Sequence, residues 1–303
     1  ASGRDKVAIC GYHGWHDWYL SANLSDDKSL DGHLLPGLEP KGVPHNLKNT
    51  VFPFKYNQFD ELESLVKKHD IGVIKMEVVR STEPEDNFLQ KVRQLANSKN
   101  IVLIFDECTT GFRETFGGIH KKYNVEPDMT MFGKALGNGY AITAIIGKRE
   151  IMQEAQSTFI SSTFWTERIG SSAALKTLEI MKREKSWEKI TQIGGKISEI
   201  WKKLGQKYQL PISVFGIPAL IQMRFNSKFN LEYKTLITQE MLKKGYLAAN
   251  SVYVCTEHNP NILEGYETAL DNVFELIAEC ENKGSVDKLL EGPICNVSFQ
   301  RLS

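Results

Sequence analysis

The feature that most constrains the fold is an alternation in the first two-thirds of the chain. "IGVIKMEVV" (71–79) and "IVLIFDE" (101–107) are short, nearly continuous apolar runs, and the stretch between them contains "NFLQKVRQLANSKN" (87–100), which is amphipathic. Apolar runs of this length predict strands buried on both faces, and an intervening helix lets two such strands lie parallel. "QFDELESLVKKHD" (58–70) predicts a second helix, with Leu62, Leu65 and Val66 on one face. "KVAIC" (6–10), "MTMF" (129–132) and "AITAIIG" (141–147) supply further strands. The expected class is α/β, a mostly parallel sheet covered on both faces. Ligands of such sheets bind at the carboxyl ends of the strands.

Beyond residue 208 the pattern changes. Residues 171–208 read as one long helical stretch. "ISVFGIPALIQMRF" (212–225) predicts a hairpin turning at Gly216-Ile217-Pro218, followed by a helix near 235–245, a strand within "YLAANSVYVC" (246–255) and a helix from 269 to 284. The expected division is a large domain over 1–190 and a smaller α+β domain over 191–303. Residues 21–54 read as a long loop with Pro36, Pro40, Pro44 and Pro53.

The formal net charge is zero. Nucleic acid and acidic membranes usually select a basic face, so neither is expected as a partner. The five cysteines are widely spaced with no CxxC pair, which suggests neither a disulfide framework nor a zinc site. No apolar run approaches the roughly 20 residues that span a membrane, and a cytoplasmic location is expected.

Two residues invite chemistry. Lys134 lies in "DMTMFGKALGNGYAITAIIG" (128–147), between glycines and among Met131, Phe132, Ala135 and Leu136. A lysine in apolar surroundings loses charge stabilisation and becomes a nucleophilic amine able to form a Schiff base; the ordinary alternative is a surface lysine in a turn. The glycines fit neither nucleotide loop. A Walker A loop needs glycine at 128 and Ser or Thr at 135, where this chain has Asp128 and Ala135. A dinucleotide loop opens a helix, whereas this one leads into "AITAIIG". Asp106 ends the strand "IVLIF", where it serves as a cap or as a site carboxylate. Alternation points its neighbour Glu107 to the other face. A buried carboxylate needs a cationic partner, and a protonated pyridine nitrogen would serve. At about 3 Å and an effective dielectric near 20 their attraction is roughly 5 kcal/mol before desolvation. His13, His16 and Asp17 in "YHGWHDW" have metal-ligand residue types, but no further ligand cluster accompanies them and no metal is expected.

"IFDECTTGFR", with Lys134 following Asp106 by 28 positions, resembles the class III pyridoxal-phosphate aminotransferases, and within them the glutamate-1-semialdehyde 2,1-aminomutases. "GRDKVAICGYHGWHD", "SSTFWTERIGSSAALKTLE" and "MLKKGYLAANSVYVC" resemble the same family in the same order. The resemblance implies a fold-type I transferase that uses pyridoxal 5′-phosphate. Lys134 would form the Schiff base and shuttle a proton. Asp106 would hold the pyridinium and Tyr12 would stack on the ring. Thr163 would reach the phosphate of a neighbouring subunit, so a homodimer is implied. His13, Cys108 and Thr109 complete the implied cofactor-contacting set.

The chain departs from the family at Thr166-Glu167-Arg168, where Gly-Asn-Pro is usual, at Cys108-Thr109, where Thr109 is shorter than the usual Gln or Met, and at Glu77-Val78, where Glu-Pro is usual. Family members also carry a phosphate-binding loop upstream of the Tyr-His-Gly turn. This sequence starts too late to include it, so it is expected to be a piece of a longer chain that on its own retains cofactor weakly or not at all. The expected reaction moves an amino group between a small-molecule donor and a carbonyl acceptor such as a sugar. An aminomutase and a non-catalytic relative that binds a partner without cofactor are the alternatives.

Overall fold

The apolar runs form strands. The structure is a computed structural model that describes residues 1–33, 36–79 and 81–296. One compact unit comprises Ala1–Val79 and Glu83–Glu184. In chain order it holds β1 (Lys6–Cys10), α1 (Asp17–Leu20), β2 (Val51–Pro53), α2 (Phe59–Lys68), β3 (Ile71–Met76) and α3 (Phe88–Ser98). There follow β4 (Val102–Asp106), β5 (Met129–Phe132), β6 (Ala144–Gly147), α4 (Arg149–Gln153) and α5 (Ile169–Glu184).

The sheet order is β2-β1-β3-β4-β5-β6. All pairings are parallel except the last, β5 with β6. Ile74 and Met76 of β3 and Leu103 and Phe105 of β4 are fully buried, as expected of central parallel strands. Helix α3 presents Phe88, Leu89, Val92 and Ala96 as its buried stripe. Asp128 ties helix to sheet at the amino end of β5: its carboxylate accepts from the Leu103 amide (2.8 Å), Arg93 (3.0 Å) and Lys148 (2.7 Å).

Two expectations are corrected. The span 21–54 is not all loop, because Val51–Pro53 joins β1 as a parallel edge strand. Proline is compatible with such an edge, where one side of the strand needs no donor. The long helix expected over 171–208 is two helices. Lys185 takes a left-handed conformation (φ 49°) between α5 and α6 (Ser186–Lys207) and breaks the run.

The second unit extends from Lys185. After α6 it contains β7 (Ile212–Phe215), β8 (Leu220–Phe225), α7 (Asn230–Lys243), β9 (Ser251–Tyr253) and α8 (Pro260–Lys283). The strands form an antiparallel sheet in the order β7-β8-β9, and the hairpin turns where the sequence predicts. Inside, the Trp201 indole donates to the Tyr266 hydroxyl at 2.8 Å, so both large rings are buried with their polar ends satisfied. Helix α6 lies so close to the hairpin that a Cβ on Gly194 would stand 1.9 Å from the Pro218 carbonyl oxygen. Only glycine fits there.

Candidate active site

Strand register builds the site. Lys75 of β3 pairs with Ile104 of β4. Asp106 is two residues further along, so it shares the face of Ile104 and Lys75. Asp106 Oδ2 lies 3.0 Å from His13 Nδ1 and 3.3 Å from Lys75 Nζ, and Oδ1 accepts the Cys108 amide at 3.2 Å. Burial pushes the carboxyl's pKa up. The His13 hydrogen bond, the Lys75 charge and the Cys108 amide outweigh it and hold Asp106 well below the usual carboxylate range. Lys75 was not foreseen. A lone lysine in an apolar strand carries no signal of what it meets, and only the register reveals that partner. It is almost fully buried and also lies over the Trp18 ring, 5.5 Å from its centroid.

Glu107 points to the opposite face. Its buried carboxylate accepts the backbone amides of Ile119 (2.5 Å) and His120 (3.1 Å) and meets His120 Nδ1 at 2.6 Å. Three consecutive parts of the chain thus fall under one anchor: the end of β4, the loop 108–118, and the turn at 119–120 that closes it.

The turn after β1 carries the next residues. Gly11 has φ 101°, and a Cβ there would meet Glu77 Oε2 at 2.5 Å. That carboxylate oxygen also accepts the Tyr12 amide at 3.4 Å. The half-buried Tyr12 ring contacts Trp15 (centroids 4.8 Å apart) and meets Tyr19 edge-on (5.8 Å). His13 is buried and holds the turn to Asp106 through Nδ1 and to the Cys10 carbonyl, 3.1 Å from Nε2. Burial, with the Asp106 charge, pushes the Cys108 thiol up to about 11, so it is a neutral packing group.

Lys134 follows β5 and adopts φ 43°, a conformation uncommon for a side chain of this size. Its Nζ donates to Thr109 Oγ1. The expectation of an apolar enclosure is corrected: Phe132 and Leu136 are buried, while Lys134 itself is exposed. The backbone turns so tightly that a Cβ on Gly137 would meet the Tyr140 carbonyl oxygen at 2.1 Å. The apolar neighbours therefore face the core and the amine faces out. Thr109, shorter than the family's usual residue, reaches the amine.

The structure thus brings together Asp106, His13, Cys108, Thr109 and Lys134, with Tyr12 on the adjoining turn. Thr163 is separate, in an exposed loop, and no hydrogen bond among the described residues joins it to them. Of the neighbouring departures, Glu167 has a structural task. Its carboxylate accepts the amides of Ile169 and of Gly170 (3.0 Å), capping α5. No cluster of three or more His, Cys, Asp or Glu that could hold a metal occurs among the described residues.

Residues 9–261 match the sequence model of the Aminotransferase class-III family, and the chain belongs to that family. It is 32% identical over 295 residues to a 3-aminobutyryl-CoA aminotransferase of Cloacimonas acidaminovorans, covering 92% of this chain and 66% of the relative. It is 28% identical over 284 residues to a glutamate-1-semialdehyde 2,1-aminomutase of Methanococcus maripaludis, covering 86% and 65%. The chain therefore spans just under two thirds of the length of these relatives. Among solved structures it resembles the FumI protein of Sphingopyxis sp. MTA144 in its PLP internal aldimine form (TM-score 0.81, 19% identity, 95% of this chain and 69% of that one). It also resembles an omega-transaminase from Sphaerobacter thermophilus (TM-score 0.77, 20% identity, 90% and 69%). At these identities the likeness is one of fold.

Proposed function

We propose that this protein is a pyridoxal 5′-phosphate-dependent aminotransferase that moves an amino group between a small-molecule amino donor and a carbonyl acceptor. The observation that carries the reading is Asp106, a strand-end carboxylate kept ionised by its neighbours, beside a loop that touches the exposed amine of Lys134 through Thr109. Family membership and the aminotransferase relative support it.

The donor set fits the cofactor. Asp106 Oδ1 accepts one backbone amide, and a carboxylate oxygen has room for a second donor such as a ring N–H. Tyr12 offers an aromatic face, and Cys108 offers a small neutral side chain. When bound, the cofactor supplies an electron sink for the charge that develops at a substrate carbon. Lys134 Nζ would hold the cofactor's aldehyde carbon and carry a proton to and from the substrate's α-carbon. Thr109 Oγ1 orients that nitrogen, and His13 holds Asp106 in place for the ring nitrogen.

A homodimer is part of the proposal. Phe159, Phe164 and Trp165 are 97%, 75% and 67% exposed around Thr163, an apolar surface of the kind that marks an interface, and Thr163 would then face a neighbouring subunit's cofactor. A cytoplasmic location rests on composition alone; no helix among the described residues is long and apolar enough to cross a membrane. An aminomutase remains the second reading, supported by the Methanococcus relative.

Lys134→Ala tests the assignment. The side chain is exposed, so the melting temperature should stay within about 2 °C. Amino transfer from an amino donor to a keto acid should fall by at least roughly a thousandfold. Turnover at the parent rate would reject the assignment.

A further inference from the structure

Lys75 has no place in the mechanism above, yet it is among the most deeply placed charges of the first unit. It sits in the apolar strand β3, 6% exposed. A hydrophobic side chain of similar volume would serve the core at least as well, because an ion pair in such a place gains little net stability. What the lysine adds is charge at one atom: its Nζ reaches Oδ2 of Asp106 at 3.3 Å. His13 Nδ1 meets the same oxygen. Both of these donors are gathered on Oδ2, while Oδ1 accepts the Cys108 amide. The same Nζ also lies over the Trp18 ring, 5.5 Å from its centroid.

Resting on the aminotransferase reading, we propose that Lys75 is a tuning residue: it shares Asp106 with the bound heterocycle and weakens that carboxylate's hold on the ring proton. A carboxylate facing one cation attracts a second less strongly, because the two cations repel and its charge is already partly neutralised. The ring nitrogen is therefore less basic in this site than beside a carboxylate held by neutral donors. The charged or titratable groups that act on Asp106 are Lys75 from β3, His13 from the turn after β1 and the Cys108 thiol from the loop after β4, and Lys134 from the turn after β5 acts on that thiol. Of these, His13 and Lys75 are buried and meet the carboxylate itself, and Lys75 is the one that comes from the apolar strand.

Binding of pyridoxal phosphate and of its 1-deaza analogue, which has a ring C–H in place of the nitrogen, tests this. Dissociation constants for both are measured by fluorescence titration of the protein and of Lys75→Met. The preference for pyridoxal phosphate over the analogue should rise about tenfold in Lys75→Met, equivalent to one pKa unit of ring basicity. Nitrogen-15 resonances of labelled cofactor should show the ring staying protonated to correspondingly higher pH. Lys75→Gln, which keeps a hydrogen-bond donor without the charge, should shift the same way and serves if the Met variant does not fold. Lys75→Arg, which keeps the charge, should restore the parent preference. A preference unchanged within about twofold in both neutral variants, with borohydride still labelling Lys134, would overturn the role of Lys75 alone. A full-length parent protein that binds neither compound would overturn the aminotransferase reading and this proposal together.

Discussion

Asp106 is the residue on which acid stability should turn. Its carboxyl is held below the ordinary value by His13, Lys75 and the Cys108 amide against the opposing effect of burial. A group with a depressed folded pKa stabilises the native state above its unfolded value, about 3.9, and loses that contribution as pH falls toward the folded value. The parent should therefore lose stability steadily below about pH 4. Asp106→Asn should be less stable at neutral pH by roughly 3 kcal/mol, because Lys75 is left buried without its counter-charge, and its stability should vary less between pH 4 and 2. Denaturant titrations at several pH values check both; parallel pH curves for the two proteins would contradict the assignment. The positions of Asp106 at a strand end and of Lys134 in a glycine turn were legible in the sequence, whereas the roles proposed for them come from the family resemblance. Lys75 was not, since its meaning depends on the register of β3 against β4. The exposure of Lys134 was also misread, because apolar neighbours in sequence say nothing of which way a tight turn aims each of them.

Among elements, the loop between β4 and β5 depends on Glu107. This carboxylate gathers two backbone amides and a histidine from residues 119–120, and the same loop carries Thr109 against Lys134. Glu107→Gln replaces one acceptor oxygen by an amide NH2, a donor that faces donors. A destabilisation of about 3 kcal/mol is expected, with faster proteolysis within 108–118. A variant as stable and as protease-resistant as the parent would show that the anchor is dispensable. The central strands, α2, α3 and the hairpin were legible because their periodicity and turn residues agree. Strand β2 was not, being three residues long and ending in proline. The break at Lys185 was missed as well: good helix formers surround it, and no glycine or proline marks the left-handed residue.

At the scale of the whole molecule, the exposed apolar loop around Thr163 should matter in assembly. Trp165→Asp places a charge on that surface, and sedimentation should show dimer dissociation strengthened at least roughly thirtyfold, the effect of a well-buried aromatic at an interface. An unchanged association constant would remove this loop from the contact. The family's fold was legible from several motifs in order, whereas the proposed subunit contact rests only on which residues of this loop stay uncovered. The central claim, that Lys134 is the residue that takes the cofactor, is tested most directly by chemistry on the intact protein. Pyridoxal phosphate is added, the sample is reduced with borohydride, and peptides are mapped by mass. The account predicts a phosphopyridoxyl group on Lys134, in the peptide containing "FGKALGNGY". No label, or a label confined to another lysine, would contradict it.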